Sequence, residues 1–191
     1  MKKTLSFILE IIKIVVIALA IVLPIRYFLF QPFIVKGQSM EPNFFNGDYL
    51  IIDEISYKLR PPERGEIIVF KSPIDSNSRY IKRIIGLPRE TVEIKNSEIF
   101  IYDSQSNCTP EKFNCLPVSL DESGYLPEDI KTLGNTTISL GENEYFVLGD
   151  NRFASYDSRR FGPIPKENII GRVYLRAWPF NELTQIKVPN Y

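Results

Sequence analysis

With 191 residues, the chain is long enough for one domain of ordinary size with an appendage, because domains usually run from about 100 to 200 residues. The 23 basic and 23 acidic residues cancel, and the net charge therefore gives no reason to expect nucleic acid or an acidic polymer as a partner. The chain contains no histidine, which excludes a Ser-His-Asp triad and removes both the usual general base and the usual zinc ligand.

The first predicted element is a long apolar segment, residues 5–25, with the sequence LSFILEIIKIVVIALAIVLPI. Its uninterrupted apolar part, residues 14–25, is shorter than the roughly 20 residues that span a bilayer as a helix. A spanning helix must therefore include Glu10 and Lys13, which lie three residues apart on one helical face near the end of the segment, where they can pair. We expect one transmembrane helix within residues 1–30.

Basic residues set the expected orientation of this segment. Lys2, Lys3 and Lys13 outweigh the basic residues that follow it, and the positive-inside rule then places the N-terminus in the cytoplasm and the rest of the chain on the extracytoplasmic side of a membrane. Two alternatives remain at this point. One is a cleaved export signal, suggested by Ala18-Leu19-Ala20 after a basic start, and the other is a buried core helix.

Residues 31–191 are predicted to form a mostly β domain. Runs rich in β-branched and aromatic residues alternate with turn residues, and they are DYLIID (48–53), EIIVFK (66–71), RYIKRIIG (79–86), TVEI (91–94), EIFIY (98–102), EYFVLG (144–149) and IIGRVYLRAW (169–178). Some of these runs are too apolar to be half-exposed. We therefore expect both of their faces to be covered, as in a β-barrel or in packed sheets.

The segment from 103 to 137 is polar and rich in loop formers, and it is typical of an inserted loop region. It holds the only two cysteines, Cys108 and Cys115. An extracytoplasmic domain lies in an oxidising compartment, and there we expect the two thiols to form a disulfide. Two free thiols and a weak metal site are the alternatives, and the lack of histidine argues against a metal.

Ser39, in the stretch GQSMEP (37–42), is a poor nucleophile unless a base removes its proton. Lys82 is the best local candidate for that base, because it lies in the apolar run 79–86. Strand alternation places Lys82 and Arg83 on opposite faces, so one of them is expected to point inward. An inward lysine loses hydration, which lowers its pKa and makes a neutral amine available. The alternative is a surface lysine at the rim of a strand.

A third block, GDNRFASYDSRRFGPIP (149–165), follows a β run. Together with GQSMEP and YIKRIIGLP, in that order after an N-terminal apolar segment, it resembles the type I signal peptidase family, membrane-bound Ser-Lys proteases that remove signal peptides from exported proteins. The resemblance also includes Gly47-Asp48 and the run 64–70. It extends from Phe33 to about Pro165 and implies the β catalytic domain of that family.

This resemblance implies a role for each matching residue. Ser39 would be the nucleophile and Lys82 the general base, and Ser155 would hydrogen-bond and orient the lysine amine. Asp157 would form a supporting salt bridge with Arg159 or Arg83.

The chain departs from the family pattern at the oxyanion hole. The backbone N–H of Ser39 would be one donor, but many relatives have a second donor, a serine hydroxyl, where this chain has Gly37. A backbone group or a water molecule would have to replace it. The other departures are Asn43, where threonine is frequent, and Arg89-Glu90, where Gly-Asp is common.

The implied activity is cleavage of N-terminal signal peptides from exported preproteins after small residues of the Ala-x-Ala type. The substrate would bind as an extended strand, with small apolar pockets lined by Phe33, Val35, Met40, Tyr80 and Ile81. No cofactor and no metal is implied. The expected partners are signal peptides and membrane lipid, and no nucleic acid is expected.

Two other functions are compatible with parts of the sequence. A self-cleaving Ser-Lys repressor shares the chemistry. Repressors of this kind commonly carry an Ala-Gly target in their own chain, and no alanine of this chain precedes a glycine. A membrane-tethered binding domain without activity is the other, with Lys82 and the loop around Asp157 in purely structural roles.

Overall fold

The computed structural model describes residues 2–28, 30–75, 77–103, 110, 117–189 and 191. Within these residues the α-helices are α1 (Lys2–Phe28), α2 (Ser56–Leu59) and α3 (Ser158–Phe161). The strands are β1 (Phe30–Ile34), β2 (Tyr49–Asp53), β3 (Ile67–Lys71), β4 (Arg79–Gly86), β5 (Glu90–Lys95), β6 (Glu98–Asp103), β7 (Val118–Ser119), β8 (Thr136–Ser139), β9 (Glu144–Leu148), β10 (Ile164–Pro165), β11 (Ile169–Trp178) and β12 (Thr184–Gln185). Two short 3-10 helices, Lys166–Asn168 and Phe180–Glu182, flank β11.

The mostly β prediction is confirmed, and each of the seven predicted runs contains an observed strand. The sequence did not predict β1, β7, β8, β10 and β12. Three of these, β7, β10 and β12, are only two residues long and have too few positions for a periodic signal. β1 has the sequence FQPFI, and its internal proline, Pro32, weakens a strand prediction.

The strands form two antiparallel sheets. The larger sheet has the order β1-β2-β11-β3-β4-β9-β10, with β12 added to β11. The smaller sheet has the order β7-β6-β5-β8. Its central hairpin turns through Asn96 and Ser97, whose φ values of 53° and 67° are those that a two-residue turn of type I′ requires.

Both faces of the larger sheet are buried at β3 and β4, as the apolar runs predicted. In β3, Ile67 and Val69 pack into one cluster while Ile68 and Phe70 pack into another on the opposite face. A third cluster joins the two sheets, because Ile85 of β4 packs among the inner residues of β5 and β6. The end of β4 is therefore held from several sides.

The segment 103–137 is more than a loop in its described part. It contains β7 and the start of β8, and it buries Leu120, Leu126 and Thr132. Cys108 and Cys115 lie outside the described residues, and the disulfide remains a prediction.

α1 is 27 residues long, about 40 Å at the usual rise per residue. From Phe7 to Leu19 its large apolar side chains are exposed. Within the part of the chain that the structure describes, no helix is both long and apolar enough to cross a bilayer.

Candidate active site

Ser39 lies in the turn that follows β1. The turn begins at Gly37, whose φ of 86° favours glycine, and the Gly37 N–H donates to Asn46 Oδ1 at 2.9 Å. Met40, next to the serine, is fully buried, and its carbonyl accepts the N–H of Phe44 at 2.9 Å. The apolar anchor Met40 therefore fixes the backbone directly beside the Ser39 hydroxyl.

Lys82 reaches this hydroxyl from β4. Its Nζ lies 2.7 Å from Ser39 Oγ and donates a second hydrogen bond to the Ile81 carbonyl at 2.8 Å. The lysine is only 4% exposed. Burial lowers the pKa of Lys82 from 10.5 to about 8, although the more distant carboxylates of Asp157 and Asp150 act in the opposite direction. A neutral amine is thus accessible near neutral pH, within hydrogen-bond distance of a serine hydroxyl.

Strand alternation predicted that one of the two basic residues of β4 points inward, and the structure buries both, because Arg83 is also only 3% exposed. Arg83 Nε and Nη2 donate to Asp150 at 2.8 and 2.6 Å, and Nη1 donates to the Gly65 carbonyl at 2.9 Å. The guanidinium also lies 3.9 Å from the ring centroid of Tyr125. Both faces of β4 are covered, and a basic residue on either face is therefore enclosed.

The loop 149–161 packs against the serine turn through its backbone. The Asn151 N–H donates to the Ser39 carbonyl at 3.1 Å, and Asn151 Nδ2 donates to the Gln38 carbonyl at 3.1 Å. Gly149 leaves the space for this contact, since a Cβ there would collide with the Ser39 carbonyl and with Ser155 Oγ. Asn151 lies in the block 149–165 but was not predicted as a site residue.

Asp157 is fully buried and pairs with Arg159, not with Arg83. Arg159 Nε and Nη2 donate to its two oxygens at 2.9 and 2.8 Å, and the Gly149 N–H donates to Oδ2 at 3.2 Å. Asp157 also caps α3 by accepting the Arg159 N–H. The carboxylate therefore holds the loop in its shape from within.

Ser155 lies beside Gly149, but the expected hydrogen bond to Lys82 is not formed. Its hydroxyl is buried, and the described residues offer it no hydrogen-bond partner. The two hydrogen bonds of Lys82 Nζ go instead to Ser39 and to the Ile81 carbonyl.

A cleft of about 480 Å³ opens at the Ser39 hydroxyl. Ten residues line it, namely Phe33, Ile34, Lys36, Ser39, Asn77, Ser78, Arg79, Tyr80, Ile81 and Lys82. Two residues predicted to line substrate pockets do not, because Val35 and Met40 are 2% and 0% exposed and pack in the core. Two larger concavities, of about 700 and 590 Å³, are lined by neither Ser39 nor Lys82.

The chemistry of this site is that of a serine hydrolase in which a lysine stands where histidine is usual. Among the described residues no group of acidic or sulfur side chains is arranged to hold a metal ion.

Comparison with known proteins gives the family. The family model described as signal peptidase, peptidase S26, matches residues 8–178. A probable signal peptidase I-2 of Synechocystis sp. is 36% identical over 177 residues, covering 90% of this chain and 73% of that protein. A signal peptidase IB of Staphylococcus aureus is 33% identical over 184 residues, covering 95% and 94%. A crystal structure of a signal peptidase I from Enterococcus faecalis is 31% identical, with a TM-score of 0.46, and covers 60% of this chain and 97% of that one. The chain belongs to the signal peptidase family, peptidase S26, and is a peptidase.

A prediction about stability follows from the burial of Lys82. Folding lowers the pKa of Lys82, so the unfolded chain binds more protons than the folded chain between pH 8 and 10.5. Below pH 8 the buried amine is charged in the folded protein, and the full cost of burying that charge lowers the free energy of unfolding. Lys82→Met keeps the length of the side chain without the charge, and we expect it to raise the free energy of unfolding at pH 7 by about 3 kcal/mol.

The measurement is urea denaturation of the unmodified chain and of Lys82→Met at pH 7 and at pH 10. At pH 10 the difference in free energy of unfolding between them should be smaller. Lys58→Met, at an exposed position of α2, is the matched control and should change stability by less than about 0.5 kcal/mol. A Lys82→Met protein that is less stable than the unmodified chain at pH 7 would contradict the burial cost.

Proposed function

We propose that this peptidase is a membrane-anchored serine endopeptidase that cleaves N-terminal signal peptides from exported preproteins, with Ser39 as nucleophile and Lys82 as general base. The observation that carries the proposal is the 2.7 Å distance between Lys82 Nζ and Ser39 Oγ, combined with the burial that lowers the lysine pKa to about 8. At pH 7 about a tenth of the amine is then neutral, a fraction that is negligible for an ordinary lysine.

The reaction proceeds through an acyl-enzyme. Neutral Lys82 accepts the Ser39 proton as Oγ attacks the scissile carbonyl, and the resulting ammonium gives that proton to the departing amine. Lys82 then accepts a proton from water as the water attacks the ester, and it returns that proton to Ser39 Oγ when the C–O bond breaks and the acid product leaves. No step requires a cofactor.

The oxyanion would be stabilised by the backbone N–H of Ser39. The Gly37 N–H is already committed to Asn46, which leaves the second donor to a group outside residue 37 or to water. Asp157 supports the site indirectly through Gly149 and Arg159. Ser155 would orient the lysine amine only after a change of rotamer that brings its buried hydroxyl to Nζ.

An extended substrate strand fits between two strand edges beside the cleft. In the described part of the chain β1 pairs only with β2, and β4 pairs with β9 only from Arg83 onward, which leaves residues 79–82 with one open edge. Gln31 and Arg79 are joined at 3.3 Å and bring the two strands together at one end. A peptide that adds its backbone here would lie in the cleft that Ser39 also lines.

Large side chains form the wall of the cleft beside Ser39. Phe33, Tyr80 and Ile81 line it, and they leave room for small substrate side chains beside the cut. This supports cleavage after small residues of the Ala-x-Ala type.

A position at a membrane surface is supported by apolar side chains at two places. The residues of α1 from Phe7 to Leu19 are exposed, and this helix leads directly into β1. Ile34, Tyr49 and Trp178 are partners across β1, β2 and β11, so they form an exposed row on one face. We propose that α1 anchors the chain as a single span, with the N-terminus cytoplasmic and the catalytic domain extracytoplasmic.

Substitution of the two reacting residues tests the proposed mechanism. Ser39→Ala, which lacks the nucleophile, and Lys82→Arg, whose guanidinium stays protonated, should each abolish cleavage while folding normally. The assay incubates the detergent-solubilised full chain with a presecretory protein and identifies the product by N-terminal sequencing.

In the same assay, replacing the small residue before the cut by a bulky aromatic residue should stop processing at that bond. Cleavage retained by Ser39→Ala would show that another residue is the nucleophile. A precursor that the unmodified chain binds and does not cut would favour a binding domain without activity.

Charges introduced into α1 test the anchor. Ile14→Lys with Ile17→Lys should move the protein from the membrane pellet to the supernatant after an alkaline wash, because each central lysine costs about 2.5 to 3.5 kcal/mol in a spanning helix. Leu59→Lys, at an 83% exposed position of α2, is the control and should stay in the pellet. An unmodified protein that is found in the supernatant would refute the anchor.

A further inference from the structure

We propose that Asn43 is a positioning residue, which through Asp150 holds the turn carrying Ser39 in register with the strand carrying Lys82. The inference rests on the proposed function, because it assigns Asn43 to the alignment of that nucleophile and that base.

Both N–H groups of the Asn43 side chain are used within the molecule. Nδ2 donates to Asp150 Oδ2 at 2.8 Å and to the backbone carbonyl of Tyr125 at 2.9 Å. The two acceptors belong to segments that are distant in sequence, residues 150 and 125. One carboxamide therefore joins the serine turn to both of them.

Asp150 carries the connection on to the strand of the base. It is completely buried, and its two oxygens accept from Arg83 Nε and Nη2. Arg83 is the neighbour of Lys82 in β4, and its guanidinium is stacked on the Tyr125 ring. The path from Asn43 through Asp150 to Arg83 thus consists of short, charge-assisted contacts, of which those between Arg83 and Asp150 are buried.

Two contacts, one at each end, join residues 39–43 to residues 150 and 151. At one end the Asn151 N–H donates to the Ser39 carbonyl, and at the other Asn43 donates to Asp150. The turn between them is stiff, because Met40 and Phe44 are buried and Arg176 donates to the Asn43 carbonyl. Loss of the Asn43 contact would leave the turn joined to residues 150 and 151 only at its Ser39 end, so that its register with β4 would no longer be fixed at both ends.

Asn43 does not line the substrate cleft. A change in this residue should therefore alter the distance between Ser39 Oγ and Lys82 Nζ without altering substrate contacts. A misplacement of about 1 Å at reacting groups is enough to lower a rate by about 100-fold. The expected signature is a lower kcat with an unchanged KM.

The test uses two substitutions of the same shape. Asn43→Thr keeps a hydroxyl donor for Asp150, whereas Asn43→Val has none. We expect Asn43→Val to lower kcat for a signal-peptide substrate by about 10- to 100-fold with KM within about twofold, and Asn43→Thr to retain at least about fivefold more of kcat than Asn43→Val. Asn135→Ala, an exposed asparagine outside the site, is the control and should keep the full kcat.

The measurements are steady-state cleavage by the full chain in detergent and thermal unfolding of each variant. Equal kcat values for folded Asn43→Thr and Asn43→Val would overturn the inference, as would a loss that appears only in KM. A Ser39→Ala protein that still cleaves would instead refute the proposed function, and the positioning role with it. If Asn43→Val does not fold at the assay temperature, both variants are compared at a lower temperature where unfolding shows them to be native.

Discussion

The site depends on the removal of one lysine amine from water. Lys82 is 4% exposed in a strand that is covered on both faces, and this burial is what brings its pKa to about 8. The packing of the apolar clusters around β3, β4 and β9 offsets the free-energy cost of this burial. A site that gains reactivity from desolvation in this way must rest on a rigid fold, because any opening that admits water would restore the charge.

Buried ion pairs surround this amine and fix the segments that form the site. Arg83 pairs with Asp150, and Asp157 pairs with Arg159, in each case with at least one partner fully buried. Such pairs contribute little net stability, since desolvation offsets the attraction, but removing one partner is costly. They therefore select one arrangement of loop 149–161 against β4. Arg152, paired with Glu122, extends the same arrangement to the segment between β7 and β8.

Much of the fold could be predicted from the sequence, because long apolar runs with turn residues between them have few alternatives. The strand pattern left two alternatives for Lys82, enclosed or at a rim, and its pairing with Ser39 was implied by the family resemblance. The direction in which side chains of the Ser39 turn point could not be predicted. Met40 follows the serine yet points into the core, and periodicity does not apply to an irregular turn. The partner of Asp157 was left open between Arg159, which is two residues away in sequence, and Arg83, which lies in the predicted strand 79–86.

The most direct test is an NMR titration of the Lys82 side chain in the full chain, with its signal assigned by its loss in Lys82→Met. A midpoint near pH 8 is the result that burial predicts. A midpoint near 10.5, the ordinary value for lysine, would mean that the amine remains solvated and charged, and it would contradict the role of Lys82 as the base.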